Sequence, residues 1–354
     1  MEKLLIICKT PFGHLTDVVK WCEYAASSYD IKVVGMANKT SSSGSLPDNI
    51  QVVQSPFKGN VIVRGVLFLM LSVKSIFSHN GKIMVVYFPG CQLLKLFFPF
   101  RRMLLDIRTL AVVGNRFQRW LYNFYMKLAC LLYNKISVIS QGVKDDLGLV
   151  CSKAYILPLG ADIISSEKKD YSQLRLLYVG TLKKRRIEDT ITGVAEFKKG
   201  HPDVDLHYDI VGDGFEGQVE KYRELTEKLG ISKSVKLHGR KNHAELQSFF
   251  DASSVGVSYV PVTCYYNHQP PTKTYEYVLS GLYTIATATA ANRLLINENN
   301  GYIIGDSSTD FTLALEHYFK INNEISEEKI RDSLSFALWH NVVDVYLLPI
   351  INKL

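Results

Sequence analysis

Short, continuous apolar runs alternate with longer amphipathic stretches along the whole chain, and that alternation limits the folds open to it. In the front half, Lys3–Cys8, Lys32–Met36, Ile83–Phe88, Met103–Ile107, Ile136–Ser140 and Ala154–Leu157 read as strands, with helical stretches such as Arg116–Tyr133 between them. Apolar strands separated by helices form a parallel sheet covered on both faces. The pattern breaks at Ser165–Gln173, SSEKKDYSQ, which is polar, aperiodic and expected to be a linker. It then restarts with Leu174–Val179, Leu206–Val211, Val235–His238, Gly256–Tyr259, Tyr283–Ala286 and Gly301–Ile304. Helices fit between these strands at Ile187–Lys199, Phe215–Leu229, Ala244–Asp251 and Lys273–Ser280. The final stretch, Glu327–Leu354, reads as helix with an apolar face.

The expected fold class is α/β, with two doubly wound domains facing each other across a cleft. The first is expected over residues 1–165 and the second over 172–338, with a helix at about 340–354 packing back on the first. A length of 354 residues suits two domains of about 100–200 residues each. Ligands of such sheets bind beyond the carboxyl ends of the strands, so the loops there are the place to look for function.

Other classes fall away. The six cysteines lie far apart with no CxxC pair, which excludes a zinc ribbon or a disulfide-dense scaffold and suits a reducing compartment. The start, MEKLLIICKTPFGH, has too short an apolar run for a signal peptide. The longest uncharged stretch, Ala252–Thr272, holds three prolines, an Asn, a His and a Gln, unlike a spanning helix. A cytoplasmic location is expected. Asp203-Val-Asp205 has the spelling of a metal-binding DxD but sits in a polar turn before a strand. It reads as an ordinary loop, and no zinc-finger or RNA-binding signature points to nucleic acid.

Charge is uneven. Residues 1–165 carry 19 Lys+Arg against 9 Asp+Glu, whereas the remainder carries 22 against 25. A basic front half suits an anionic partner, or is simply a lysine-rich solvated surface. Leu93–Leu105, LLKLFFPFRRMLL, mixes large apolar residues with Lys95, Arg101 and Arg102. It reads either as a membrane-surface element or as a buried helix and strand joined at Pro99.

The most informative segment is Gln269–Thr287, QPPTKTYEYVLSGLYTIAT. Pro270 and Pro271 lead into a helix, with Thr272 near its N-cap and Lys273 in its first turn. The unpaired N–H groups there and the Lys273 charge form an anion site. Glu276, one turn on, is placed to accept hydrogen bonds from a vicinal diol such as a ribose. Gly281 ends the helix before the next strand.

This segment resembles the donor-nucleotide site of GT-B-fold glycosyltransferases, specifically the retaining enzymes of family 4. Val138–Gly148, Ile156–Asp162 (ILPLGAD), Leu176–Arg186 (LLYVGTLKKRR), Ile210–Gly214 (IVGDG) and Val235–Arg240 (VKLHGR) resemble further family segments in order. The resemblance covers residues 136–290 well and the first 135 loosely. It implies two Rossmann-like domains and no cofactor, a nucleotide sugar (UDP-, GDP- or similar) being the substrate. It also implies metal-independent transfer of a hexosyl group with retention to a saccharide or lipid-linked saccharide, in polysaccharide or glycolipid synthesis.

Residue by residue, Glu276 matches the second Glu of the family's E-x7-E element, which holds the donor ribose. Arg186 falls where the family has a Lys on the diphosphate, with Arg185 and Lys273 assisting. Fixed cations of this kind offset the charge that gathers on a departing diphosphate. Arg240 falls near the nucleobase. His268 replaces the first Glu of the element, and Thr181 replaces the Arg that commonly follows the first donor-domain strand. In the front half, Gly13 in Lys9–Leu15 (KTPFGHL) falls in the family's glycine-rich loop. Asp106 lies near the position of its catalytic His or Asp, with an ion pair to Arg108 as the alternative. A non-hydrolysing nucleotide-sugar epimerase and a degenerate sugar-nucleotide-binding protein remain the competing readings, and peripheral attachment to the inner face of an anionic membrane fits the basic front half.

Overall fold

The computed structural model describes residues 1–37, 47–111, 113, 115–150 and 152–354. The chain divides into two compact units, Met1–Gly160 with Trp339–Leu354, and Ala161–Leu338.

The first unit is a seven-stranded parallel sheet in the order β3-β2-β1-β4-β5-β6-β7. Its strands are β1 (Glu2–Ile7), β2 (Tyr29–Met36), β3 (Ile50–Ser55), β4 (Lys82–Val86), β5 (Leu104–Ile107), β6 (Lys135–Val138) and β7 (Ala154–Ile156). Between them run α1 (Thr16–Ala25), α2 (Val61–Phe77), α3 (Cys91–Phe97), α4 (Arg116–Leu132) and α5 (Gln141–Leu147). The central strands are buried on both faces, so their sequences show no alternation.

The second unit is a six-stranded parallel sheet in the order β10-β9-β8-β11-β12-β13. The strands are β8 (Leu174–Val179), β9 (Leu206–Val211), β10 (Val235–Gly239), β11 (Val255–Ser258), β12 (Tyr283–Thr287) and β13 (Gly301–Ile304). Its helices are α6 (Ile187–Gly200), α7 (Gln218–Lys228), α8 (Leu246–Ala252), α9 (Thr272–Leu279), α10 (Ala290–Leu295), α11 (Ser308–Ile321) and α12 (Glu327–Ser333). Both sheets follow the Rossmann order, in which the chain reverses direction across the sheet between the first strand and the fourth.

Three expectations are corrected. Strand β3 and helix α2 were not anticipated. The stretch Ser165–Gln173 is not a free linker, because it packs into the second unit. There the Lys169 ammonium is buried and donates to Phe250 O at 2.6 Å and Ser165 Oγ at 2.9 Å, and burial pushes it down to about 8. Nor is Glu327–Leu354 one helix. After α12 the backbone becomes extended at Leu338 and pairs with Ala161. The chain then continues as α13 (Trp339–Asn341), a π-helical turn (Val342–Leu347) and α14 (Leu348–Asn352). Pro349 supplies no N–H and its ring crowds the carbonyl of Val345, which accounts for the widened turn ahead of it.

This closing segment belongs to the core of the first unit. Trp339, Val342, Val343, Leu347, Ile350 and Ile351 pack with Trp21, Cys22 and Ala25 of α1 and with Leu4 and Ile6 of β1. Gly160 lies flat under Trp339, where an added Cβ would come within 2.4 Å of the indole.

Candidate active site

In the second unit, a cavity of about 390 Å³ opens at the carboxyl end of β8, walled by the start of α9. Tyr178, Thr181, Arg185, Tyr266, Lys273 and Glu276 line it with Gln269, Pro270, Pro271 and Thr272. Pro271 is the N-cap of α9 in an extended conformation, and Thr272 and Lys273 are the first helical residues. Their N–H groups precede the first intrahelical bond, as in any helix start.

Buried contacts set the rotation of α9. Thr274 Oγ1 lies 2.7 Å from Ser258 Oγ at the end of β11 and donates to Asn292 Oδ1 at 3.1 Å. The Tyr277 hydroxyl accepts from Val179 N–H at 2.7 Å. With Thr274, Tyr277 and Val278 buried, Lys273 and Glu276 share the face that borders the cavity.

The electrostatics of this face are unbalanced. Lys273 Nζ stands 3.7 Å from the centre of the Tyr178 ring, and Arg185 Cζ stands 4.3 Å from that of Tyr266. Each cation thus rests on an aromatic face. Arg185 Nη1 is buried with no hydrogen-bond partner among the described residues. Burial, with repulsion from Arg185, pushes the Lys273 ammonium well below its usual range, and Glu276 only partly opposes this. Glu276 is itself pushed up to about 7, by burial and then by Asp162, against the pull of Lys273. Two close cations, one with an orphaned donor, form a site that an anion would complete.

The run Lys183–Arg186 divides between two environments. Lys184 and Arg186 both adopt left-handed backbone angles, φ 56° and 54°. Arg185 then lines the cavity, whereas Arg186 pairs with Asp189 at 2.9 Å and with Asp306 at 3.7 Å. Asp189 also accepts from the Tyr259 hydroxyl at 2.9 Å. Of the two arginines expected at a diphosphate, Arg185 is the one that borders the cavity, whereas the charge of Arg186 is already answered by two carboxylates outside the lining.

The remaining expected residues are scattered. Thr272 lines the cavity. His268 stands one residue before the lining and lies 3.5 Å from the Asn267 amide. Arg240 is exposed just beyond β10. Thr181 holds the loop after β8, accepting from the Tyr178 hydroxyl at its carbonyl and from Lys183 N–H at its own hydroxyl.

The first unit has its own cavity of about 450 Å³ at the carboxyl ends of its strands, with Lys9, Thr10, Arg64, Tyr87, Arg108 and Thr109 in its lining. Gly13 sits in the turn after β1 at φ 92°, with nothing within 4 Å of an added Cβ. It serves the turn rather than a close approach. Asp106 does not reach this cavity. It is fully buried in β5, accepts from Ser137 Oγ at 2.6 Å, and is pushed up to about 6 by burial. Arg108 lies 3.9 Å from it but makes its short bond, 2.7 Å, to Asp17. Asp106 is thus corrected from an acceptor base to an interior residue.

A larger cavity of about 550 Å³, lined by Asn297, Glu298, His317 and Lys329, lies at the amino ends of β12 and β13. It holds none of the expected residues and is at the end of the sheet away from the loops that carry ligands in such folds.

Sequence reasoning missed Tyr178, Tyr266 and Asp162. Tyr178 reads as core within LLYV, and Tyr266 as one aromatic of an uncharged loop. Asp162 ends the ILPLGAD stretch, which by itself does not show that it lies beside Glu276. Among the described residues, no group of three or more His, Cys, Asp or Glu is placed to hold a metal ion.

Comparisons with known proteins bear on the family match and the architecture. Residues 173–320, all within the second unit, match the family model described as glycosyl transferases group 1. Among curated proteins nothing matches significantly. Among solved structures, the chain resembles HepE of Anabaena, determined with UDP, at 12% identity and a TM-score of 0.75, covering 99% of this chain and 100% of that one. Sucrose-phosphate synthase from Thermosynechococcus elongatus aligns at 14% identity and a TM-score of 0.74, over 97% and 96% of the two chains. A glycosyltransferase from Rickettsia africae aligns at 11% identity and a TM-score of 0.74, over 99% and 98%. Similarity at this level establishes a shared architecture.

Proposed function

We propose that this chain, whose fold is that of GT-B proteins and whose residues 173–320 match the glycosyl transferases of group 1, transfers a hexosyl group, with retention, from a nucleoside-diphosphate sugar to a saccharide or lipid-linked saccharide acceptor. The observation that carries the reading is the cation pair Arg185 and Lys273, with an orphaned guanidinium nitrogen beside the first turn of α9. A diphosphate placed there pairs with Arg185 Nη1 and returns the Lys273 ammonium towards its usual range. As the glycosidic bond breaks, the charge that collects on the diphosphate falls on groups already in position, so little reorganisation is needed.

Glu276 lies on the same face of α9 and accepts from the ribose hydroxyls in this reading. Its carboxyl is pushed up to about 7 by burial without ligand, and two donated hydroxyl hydrogen bonds favour the ionised form. The likeness to HepE, which was determined with UDP, supports a nucleotide as ligand.

The reading is tested by incubating the protein with UDP-, GDP- and ADP-sugars and simple saccharide acceptors. Release of free nucleotide with a glycosylated product of unchanged anomeric configuration is the expected result. An isomerised donor with no transfer, or an inverted product, contradicts it.

A further inference from the structure

Helices α2, α3 and α4 lie side by side in the first unit and turn large apolar residues to solvent. In α2 apolar residues fall on both faces, with Phe68 and Ile76 buried beside two serines. Ser72 and Ser75 are buried, while Ile62, Val66, Met70 and Phe77 form an exposed stripe at helical spacing. In α3 the Lys95 ammonium is turned inward, donating to Pro99 O at 2.9 Å and Asn134 Oδ1 at 2.8 Å, and Leu96 and Phe97 are exposed. Phe100, in the turn that follows, is 98% exposed. In α4, Phe117, Trp120, Phe124, Leu128 and Leu131 form a single exposed stripe. Its rings stack at 6.0 and 5.5 Å between centroids, so the stripe is preassembled without a covering partner.

The charges around this surface decide what covers it. Residues 49–144 contain thirteen Lys+Arg and one acidic residue, Asp106, which is buried. Lys74, Arg102, Arg116 and Lys127 are exposed on or beside the apolar stripes. A second copy meeting this face would bring these cations together with no carboxylate from this stretch to neutralise them. An anionic phospholipid surface supplies both an apolar layer for the side chains and negative charge for the rim. Among the described residues no helix is long and apolar enough to cross a membrane, so the contact is with one leaflet.

We infer that the α2–α3–α4 face is a membrane-docking surface that inserts its aromatic and aliphatic stripes into an anionic phospholipid leaflet. A groove of about 200 Å³ between α2 and α3, lined by Ile62, Val66, Leu69 and Leu93, shares Lys9, Phe88 and Pro89 with the cavity that holds Arg64 and Arg108. Docking would therefore bring a lipid-linked acceptor to the basic cavity of the same unit, a consequence that rests on the transferase reading. The docking itself does not.

The test is flotation of the full chain with phosphatidylcholine vesicles, with and without phosphatidylglycerol, in the absence of any sugar nucleotide. Of the three tryptophans, Trp21 and Trp339 are buried and Trp120 is exposed, so a blue shift of emission on adding vesicles reports Trp120. Binding to anionic vesicles at low salt with that blue shift is expected. A Phe117→Ser, Phe124→Ser variant, altered only at exposed positions, should bind at least about tenfold more weakly while keeping its thermal transition. An Arg116→Gln, Lys127→Gln variant should lose the preference for anionic over neutral vesicles. Absence of flotation at low salt, equal binding by the aromatic variant, or a dimer in sedimentation that the aromatic variant disrupts would each overturn the proposal. Because no nucleotide is present, these outcomes leave the donor reading to its own test.

Discussion

The two units share a strand order but present opposite surfaces. Among the described residues, twenty-two large apolar side chains are exposed in the first unit and eight in the second, and eighteen of the twenty-two fall between residues 61 and 132. The second unit carries the family match and a compact cation pocket, whereas the first carries excess positive charge and an uncovered apolar face. A doubly wound sheet leaves its outer helix faces unconstrained by the core, so those faces can be shaped for different partners. A pocket of fixed cations tolerates fewer solutions, because the cations and a helix start must converge at one strand end.

The contrast breaks most directly if the units do not stand on separate cores. Trp339, buried in the first unit against α1, is the sharpest probe. Trp339→Ala should destabilise that unit by about 3–5 kcal/mol, the usual cost of removing a large core aromatic. Calorimetry should show the first unit melting earlier while the transition of the second stays in place. A uniform shift of a single transition would show one shared core.

A next effect concerns the pocket. Arg185→Ala and Lys273→Ala should each lower kcat/KM for transfer by about 10²-fold, or ~3 kcal/mol, as expected for a fixed donor to developing charge. Arg186→Ala should cost only a few-fold, about 1 kcal/mol, because Asp189 and Asp306 already hold that guanidinium. Equal losses at Arg185 and Arg186 would remove the distinction drawn between them.

Smaller again is a pH effect at Glu276. Its carboxyl rises from 4.5 to about 7 on folding, so the folded protein holds a proton there that the unfolded chain gives up. Glu276 therefore contributes stability below about pH 4.5 that is lost as pH rises through 7. Glu276→Gln should flatten that slope and be the more stable protein at pH 8, by no more than about 3 kcal/mol and less to the extent that water reaches the group. Thermal melts at pH 5 and pH 8 read the difference. A Gln variant that loses stability equally at both pH values would exclude this account.

Much of the architecture was legible because buried parallel strands are written as uninterrupted apolar runs. Leu174–Val179, Leu206–Val211 and Gly301–Ile304 appear in the structure with the boundaries read from sequence. Strand β3 escaped because IQVVQS is an edge strand carrying two glutamines. Helix α2 escaped because VIVRGVLFLMLSVKSIF is apolar on its outer face and hides two serines inside, which erases the usual period. The start of α9 was legible from Pro270 and Pro271, whose backbone limits leave few alternatives to a helix entrance.

The choice between Arg185 and Arg186 was not legible. Adjacent arginines are chemically identical in sequence, and the left-handed angles at Lys184 and Arg186 that separate them have no glycine to announce them. Asp106 misled for a related reason. Its strand is buried on both faces, so nothing in LLDI says which side its carboxyl occupies, and the register that sets it beside Ser137 exists only in the folded sheet.

The central claim is that Arg185 and Lys273 await a diphosphate. Calorimetric titration of the full chain with UDP, GDP and ADP and the corresponding monophosphates tests it directly. The account predicts that one diphosphate binds at least about tenfold more tightly than its monophosphate, and that Arg185→Ala abolishes the difference. Failure of every diphosphate to bind, or a preference unchanged in the Arg185→Ala protein, would contradict it.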